Sequence, residues 1–384
     1  MRFYFYLALM CGLFSLLATS ITGAAVYCYK SHGSLRRLSR NHALATVGLI
    51  LLDLTLLASL PYANISHGPI LVPLVAWWAA RLLVFLGWLI STRRYHAIEN
   101  ENDFRRGIRP FSRMFASLNL ILVAVMVYGF IFEPFNLGVT YVELSTNHQL
   151  PQPSLRIMQI SDIHVERLTR REHALLDQVA AVQPDLIVLT GDYLNISFLN
   201  DPVTSEQTRW LLSQLQAPMG VYAINGSVDR PETMQQLFTG LDITVLDNET
   251  VRPGNSNLYL VGITRSWHSK ESQTLEDLAA QTPPEAYTLL LHHTPDLIKI
   301  AAAADIDLYL AGHTHGGQIR LPIYGALITF SAFGKQYEMG QYTEENTTLY
   351  VTRGLGMEGS IAPRARFLCP PELVVIDLEM ESSP

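Results

Sequence analysis

Four long apolar stretches occupy the first third of the chain. They lie at about 3–28, 44–63, 69–91 and 114–132. Each has roughly the 20 residues that an α-helix needs to cross a hydrocarbon core about 30 Å thick. Charged residues make up 16% of the whole chain, whereas about 25% is usual for a soluble domain. The sequence therefore predicts an all-α region of four transmembrane helices.

The first of these stretches also admits a second interpretation, as a secretory signal. A signal's apolar core usually has roughly 7–15 residues, and the stretch at 3–28 is longer than that. We therefore interpret it as an anchor that stays in the membrane.

The distribution of Lys and Arg predicts the orientation of the spans. The loop at 62–68 has neither residue, whereas basic residues crowd the loops on either side of it. They are Lys30, Arg36, Arg37, Arg40, Arg93, Arg94, Arg105, Arg106 and Arg109. Basic loops stay in the cytoplasm. We therefore expect an integral protein of a bacterial inner or plasma membrane, with everything after the fourth span on the non-cytoplasmic side.

Two charged residues lie within the predicted spans, Asp53 in the second and Arg81 in the third. At 1.5 Å rise per residue, antiparallel helices place them at similar depth. Charged groups inside a membrane are usually paired and often functional. We favour a structural ion pair; a site for an ion or lipid headgroup between helices is the alternative.

The pattern changes at about residue 138, and we divide the chain into a four-span region, 1–137, and a globular domain, 138–384. The first region carries 12 of the 27 Lys and Arg but only 5 of the 34 Asp and Glu. The second is correspondingly acidic, which argues against nucleic acid as a partner, because phosphate backbones attract basic surfaces.

Five predicted strands of the second region end in polar residues beside turns. The strands lie at 155–160, 186–190, 220–224, 287–291 and 306–310. The residues that follow them are Asp162, His164, Asp192, Asn225, Asp229, His292, His293, His313 and His315. Strand ends in layered α/β proteins commonly form the functional site. We therefore expect several of these side chains to meet.

The residue types at these strand ends indicate metal binding. Mixed carboxylate and imidazole ligands suit Mn, Fe or Zn better than Ca. A single zinc ion needs only three or four ligands, and here at least six candidates converge. The set therefore favours two divalent ions that share a bridging carboxylate.

The ordered motifs resemble those of the calcineurin-like metallophosphoesterase superfamily. The resemblance covers about 138–380 and rests on Asp162-x-His164, Gly191-Asp192, a lone His293 and Gly312-His313-x-His315. The segments 315–322, 351–356 and 366–373 make it similar to the membrane-associated branch. The resemblance implies an α/β fold, a four-layer β-sandwich flanked by helices. It also implies hydrolysis of phosphoric esters or anhydrides.

The resemblance also implies a role for each motif residue. Asp162, His164 and His315 would hold the first metal, and His293 and His313 the second. Asp192 would bridge the two ions. Asp192, His293 and His313 are accordingly the expected catalytic residues.

The third motif departs from the family pattern, because Ser227 stands in place of a metal-binding Asn and Val228 in place of a His. Ser227 is the favoured second-metal ligand; Asn225 replaces it only if the turn redirects that side chain. Valine cannot donate a proton. The substrate then has a good leaving group such as a phosphoanhydride, or another residue such as His292 acts as acid, or the domain is weakened.

These observations leave three functional hypotheses. The leading one is two-metal hydrolysis of a phosphodiester or pyrophosphate bond, in a small phosphorylated molecule or a lipid in the adjoining bilayer. The second is a catalytically inactive domain that senses metal or phosphate ligands, suggested by Val228. The third, a transporter with a regulatory domain, is weak because the spans show no repeats.

Overall fold

The computed structural model describes residues 33–381, apart from 64–65, 67, 69–70, 99, 255, 266–269 and 359–361. The predicted first span at 3–28 lies outside the described residues. The chain divides into two compact units. We call Met1–Tyr128 with Ile361–Arg364 the helical unit, and Gly129–Ser360 with Ala365–Pro384 the sheet unit. The division at residue 137 that the sequence suggested stays a prediction.

The described part of the helical unit contains three long helices, α1 (Gly33–Ser59), α2 (Leu71–Thr92) and α3 (Glu101–Val127). Three stretches are long and apolar enough to cross a membrane: Arg37–Tyr62, Leu74–Tyr95 and Asn102–Phe135. These correspond to the second, third and fourth predicted spans.

Helix α3 begins earlier than the sequence indicated. The prediction placed Arg106 and Arg109 in a loop before residue 114, but both lie within the helix. The helix starts after Asn100, whose side-chain oxygen accepts a hydrogen bond from the backbone N–H of Asn102 at 2.9 Å. Such a cap satisfies a helix N-terminal donor, so the basic residues extend the helix rather than interrupt it.

Asp53 and Arg81 form the contact that the sequence predicted. The guanidinium donates to both carboxylate oxygens of Asp53, with Arg81 Nη2 to Asp53 Oδ1 at 2.6 Å. Arg81 Nη1 also donates to the side-chain oxygen of Asn119 at 2.9 Å. All three side chains are buried. Asn119 is a third partner that the sequence did not indicate.

The sheet unit contains two six-stranded sheets. The first has the strand order β1-β14-β2-β3-β4-β5, and the second β12-β13-β9-β8-β7-β6. The strands of the first are β1 (Gly138–Thr146), β2 (Ser154–Ile160), β3 (Leu186–Leu189), β4 (Val221–Ala223), β5 (Thr244–Val245) and β14 (Glu372–Met380). Those of the second are β6 (Glu249–Val251), β7 (Leu258–Gly262), β8 (Tyr287–Leu291), β9 (Leu308–Ala311), β12 (Gly340–Glu344) and β13 (Thr347–Val351). A short hairpin joins β10 (Arg320–Leu321) to β11 (Gly325–Ala326).

Helices cover the outer faces of both sheets. They are α4 (Arg170–Val182), α5 (Pro202–Ser213), α6 (Pro231–Phe238), α7 (Glu271–Ala279) and α8 (Ile298–Ala303). One core lies between the sheets and includes Leu155 and Leu289. Two further cores lie under the helices, where Leu175 packs on the first sheet and Leu275 on the second. This confirms the predicted four-layer α/β fold.

Candidate metal centre

The predicted site residues follow parallel strands. β2, β3 and β4 run parallel in the first sheet, and β8 and β9 run parallel in the second. Loops that leave the carboxyl ends of parallel strands meet at one edge. The backbone there is unusual, since Asp162, Asp192 and His313 have φ of 51°, 60° and 69°. Non-glycine residues rarely adopt such angles, and they concentrate at functional sites.

The first cluster consists of Asp162, His164 and His315, whose ligand atoms all lie within 4.8 Å of one another. Nε2 of His164 and Nε2 of His315 are 3.1 Å apart. Nε2 of His315 is also 3.5 Å from Oδ1 of Asp162. All three side chains are buried, so these lone pairs converge on a space shielded from water.

The second cluster consists of Asp192, His293 and His313, again with ligand atoms within 4.8 Å. Nε2 of His293 lies 3.1 Å from Oδ2 of Asp192 and 3.2 Å from Nδ1 of His313. Nδ1 of His293 contacts the backbone oxygen of Thr190 at 2.8 Å, which directs Nε2 towards the cluster. His313 is only partly buried and is therefore the ligand candidate nearest to solvent.

Asp192 lies between the two clusters. Its Oδ2 is 3.5 Å from Nε2 of His164 in the first cluster and 3.1 Å from Nε2 of His293 in the second. Its Oδ1 accepts a hydrogen bond from the backbone N–H of Val228 at 2.9 Å. One carboxylate thus reaches both groups of ligands, as a bridging carboxylate must.

Two of the candidate ligand rings, those of His313 and His315, are held in the neutral form that can bind a cation. Burial, with a smaller contribution from His293, lowers the pKa of His313 to about 4. Burial also lowers the pKa of His315 well below its usual value. Both rings are therefore neutral at neutral pH, as metal ligands must be.

The remaining ring of the second cluster carries a proton that a metal ion would replace. Burial opposes protonation of His293, but Asp192 outweighs it and raises the pKa of His293 to about 9. Burial alone would raise the pKa of Asp192, but His293 and His164 bring it below its usual value. The donor set thus fits a divalent ion, which can take the place of this proton.

The third motif forms the turn beside Asp192. The Asp229 carboxylate accepts hydrogen bonds from the backbone N–H groups of Gly226, Asp192 and Tyr193 at 2.8, 2.6 and 3.1 Å. Its role in this structure is therefore to fix two loops. Gly191, at φ +95°, allows their close approach, because a Cβ there would lie 2.5 Å from the backbone of Gly226.

The structure separates the two candidates for the missing Asn ligand. Oγ of Ser227 is 3.3 Å from Nδ1 of His313. The amide of Asn225 instead donates to the backbone oxygen of Arg265 at 3.0 Å and accepts from its N–H at 2.8 Å. Ser227 therefore faces the second cluster, whereas Asn225 fixes a neighbouring loop.

Two further residues lie near the site: His292 is held away from it, whereas Glu358 contacts one of the ligand candidates. His292 contacts the hydroxyl of Tyr309 and the backbone oxygen of Thr294 through Nδ1, so it is held in the core. Glu358, which the sequence did not indicate, lies with Oε2 3.0 Å from Nδ1 of His164. A carboxylate behind a metal-binding His typically orients the ring. No sequence motif pointed to Glu358, because its partner lies far away along the chain.

Several known proteins have sequences similar to that of this chain. Residues 155–317 match the calcineurin-like phosphoesterase family. An uncharacterized metallophosphoesterase, YkuE of Bacillus subtilis, is 33% identical over 243 residues, or 58% of this chain and 79% of that protein. UDP-2,3-diacylglucosamine pyrophosphatase LpxG of Chlamydia trachomatis is 28% identical over 328 residues, 68% of this chain and 96% of that protein. Phosphodiesterase YaeI of Escherichia coli is 28% identical over 245 residues, 58% of this chain and 82% of that protein.

Fold, site and relatives together define a metal-dependent phosphoesterase, a hydrolase of phosphoric esters or anhydrides. The chain belongs to the calcineurin-like phosphoesterase family. Members of this family use divalent metal ions, and the two His and Asp clusters are able to bind them.

Proposed function

We propose that the sheet unit hydrolyses a pyrophosphate or phosphodiester bond with two divalent ions, one at each cluster. The position of Asp192 carries this proposal, because its Oδ2 lies within 3.5 Å of an imidazole nitrogen from each cluster. Two ions held there would lower the pKa of a water and neutralise the phosphoryl oxygens during in-line attack. The donor types suit Mn, Fe or Zn.

Each residue has a defined part in this proposal. Asp162, His164 and His315 would hold the first ion, and His293, His313 and Ser227 would hold the second. Asp192, which lies between the two clusters, would serve both ions, and its negative charge would offset their mutual repulsion. Because His313 is less buried than its neighbours, substrate enters on its side.

The third motif favours a substrate with a good leaving group. Val228 stands where the family pattern that this sequence resembles has a His. His292 is held in the core by Tyr309 and Thr294. A phosphate leaving group needs no proton at neutral pH, unlike an alkoxide. We therefore favour a pyrophosphate bond, the bond that the name of the Chlamydia trachomatis relative specifies.

We also propose that the substrate is an amphiphile of the membrane that holds the helical unit. Three described helices are apolar enough to span a bilayer, and the relative named for a diacylated substrate aligns over 68% of this chain. From the basic residues before the last span, we propose that the sheet unit lies on the non-cytoplasmic side. A reporter fused after Pro384 tests this orientation: activity of periplasmic alkaline phosphatase supports it, and cytoplasmic fluorescence alone would overturn it.

Hydrolysis by the purified full-length chain in detergent micelles tests the enzymatic proposal. We would measure release of phosphate products from UDP-2,3-diacylglucosamine and from a chromogenic diester, with and without Mn²⁺. Asp192→Asn should lower kcat at least about 100-fold, because it removes the charge that both ions share. Asp305→Asn is the matched control, since Asp305 is exposed and has a similar φ of 52°. Equal loss in both variants, or turnover without metal, would contradict the proposal, and inactivity towards all substrates would favour a binding domain.

A further inference from the structure

The loop after the last metal-ligand motif is apolar and exposed. We call residues 320–335 the apolar loop; between Arg320 and Lys335 it has no charged residue. Its exposed large apolar side chains are Leu321, Ile323, Tyr324, Leu327, Ile328 and Phe330. They make up half of the exposed large apolar side chains in the described part of the sheet unit. Concentrated patches of this kind usually mark a binding surface.

Polar contacts hold the loop so that its apolar side chains face outward. Nη2 of Arg320 lies 2.6 Å from Oε1 of Glu338, and the other oxygen of Glu338 accepts from the backbone N–H of Ala326. The ammonium of Lys335 donates to the backbone oxygen of Tyr324 and lies 3.7 Å from the centre of its ring. The exposure is therefore part of a hydrogen-bonded arrangement rather than of a loose segment.

One segment connects the base of this loop to the end of a membrane span. The last candidate span runs from Asn102 to Phe135, so its final residues belong to the sheet unit. The backbone N–H of Arg366 donates to the oxygen of Gly129 at 2.9 Å, and that of Leu368 donates to Oε2 of Glu133 at 2.9 Å. Residues 366–368 are thereby attached to the end of the span.

The same segment pairs with the apolar loop on its other edge. Phe367 donates to the backbone oxygen of Gln318 at 3.0 Å and accepts from the N–H of Arg320 at 2.9 Å. Two exposed apolar side chains, Phe132 and Leu368, lie along this connection. Exposed apolar side chains therefore occur both on the loop and on the segments that join it to the end of the candidate span.

The apolar loop contacts the metal centre at Phe330. The backbone oxygen of Phe330 is 3.3 Å from Nε2 of His313, the least buried of the imidazole ligand candidates. A group bound along the loop would therefore end beside the second cluster.

From these contacts we propose that the apolar loop inserts into the bilayer in which the last span ends. Ile323, Leu327 and Ile328 enter the acyl region, while Tyr324 and Lys335 lie at headgroup level, where aromatic and basic residues are favoured. A bilayer is the partner because the span end and the loop share one hydrogen-bonded segment. This inference goes beyond the proposed function: it places the metal centre at the lipid surface, where an amphiphile's headgroup reaches it without leaving the membrane.

Depth measurement on the full-length chain tests the insertion without any need for turnover. Leu327→Cys would carry an NBD fluorophore in a background with Cys11→Ser and Cys28→Ser; Cys369 is buried. The protein would be placed in phosphatidylcholine nanodiscs that contain acyl-chain doxyl lipids. We expect a blue-shifted emission that these lipids largely quench. Val203→Cys on α5, which is similarly exposed, should show neither effect, and an unquenched probe at 327 would overturn the proposal.

A triple variant tests the consequence for catalysis. Ile323→Ser, Leu327→Ser and Ile328→Ser together should slow hydrolysis of an amphiphile in vesicles at least about tenfold, since each side chain loses its apolar burial. Hydrolysis of a water-soluble diester should not change. Val203→Ser with Trp210→Ser is the matched control. Equal slowing of both substrates would overturn the proposal, whereas failure of the parent chain to hydrolyse any substrate would refute the proposed function and leave the depth measurement standing.

Discussion

We predict that Glu358 acts on the metal centre through its contact with His164, since it belongs to neither ligand cluster. Its Oε2 lies 3.0 Å from Nδ1 of His164 and also accepts from the backbone N–H of Ile196 at 2.9 Å. Glu358→Gln keeps an acceptor for Ile196 but removes the charge that orients the ring. We expect the affinity for Mn²⁺ to fall about 10–100-fold, measured by titrating metal into the apoprotein. Glu345→Gln at an exposed position should have no effect, and equal affinities in all three proteins would exclude this role.

We predict that Val228 determines which leaving groups the site accepts. The residue is partly exposed, and its backbone N–H donates to Oδ1 of Asp192 at 2.9 Å. Val228→His would supply a proton donor there, and general acids contribute about 10²–10⁴-fold. We expect kcat to rise for an alkyl phosphodiester and to stay nearly constant for a nitrophenyl ester, whose leaving group needs no proton.

Val228→Leu is the control for side-chain bulk, because it cannot donate a proton. Should the His and Leu variants show the same ratio of rates for the two esters, proton donation at position 228 would have no part in catalysis. The comparison of the two esters within each variant also removes any error in the concentration of active enzyme.

At the scale of elements, Arg366 fixes the loop that lies behind the first cluster. Its buried guanidinium donates to the backbone oxygens of Arg353, Gly354, Gly356 and Cys369. The backbone N–H of Gly356 in turn donates to the oxygen of Asp162 at 2.6 Å. This one side chain therefore connects two loops to a ligand-bearing strand end.

Arg366→Lys should destabilise the sheet unit, because an ammonium cannot reach four carbonyls arranged around a planar fork. Losing hydrogen bonds to this buried charge should lower the free energy of unfolding by about 3 kcal/mol. For a unit of this size, that loss lowers the melting temperature by about 6–12 °C. Thermal unfolding of both proteins in detergent would measure this difference in melting temperature. Arg209→Lys is the control: Arg209 also donates to three backbone oxygens but is half-buried, and an equally large loss of stability there would contradict this prediction.

The sequence predicted the elements that carry the ligands, because their signals are local. The strand expected at 287–291 is β8, Tyr287–Leu291, and the strand expected at 186–190 is β3, Leu186–Leu189. Buried parallel strands are continuous apolar runs, and here each is followed by polar residues in a turn. Both features can be read from neighbouring residues alone.

The parts of the site that the sequence did not predict depend on distant partners. Glu133 lies near the end of the last candidate span, where its carboxylate is fully buried and accepts from the backbone N–H groups of Leu368 and Cys369. Glu358 and Arg366 likewise find their partners in other loops. A single charged residue does not reveal such a partner, because the pairing arises only when the loops fold together.

At the scale of the whole molecule, the chain combines two compact units that differ in the surface they expose. The helical unit exposes Leu83, Ile90 and Leu120, as expected of a surface that faces lipid. The sheet unit buries its cores between and under two sheets and carries every predicted ligand. Stability and catalysis are therefore expected to respond to different substitutions.

The buried Asp53, Arg81 and Asn119 cluster tests this separation. Removing one partner of a buried ion pair leaves an uncompensated charge and costs about 3–5 kcal/mol, whereas replacing both with apolar residues is often neutral. Arg81→Met should therefore lower the temperature at which the detergent-solubilised chain aggregates, and Asp53→Leu with Arg81→Met should restore it. Hydrolysis of a soluble diester per folded molecule should stay constant in both variants, because no predicted ligand belongs to the helical unit. If Arg81→Met leaves the aggregation temperature unchanged, the ion pair adds nothing to stability. If the stable double variant no longer hydrolyses the diester, this cluster takes part in the function of the metal centre.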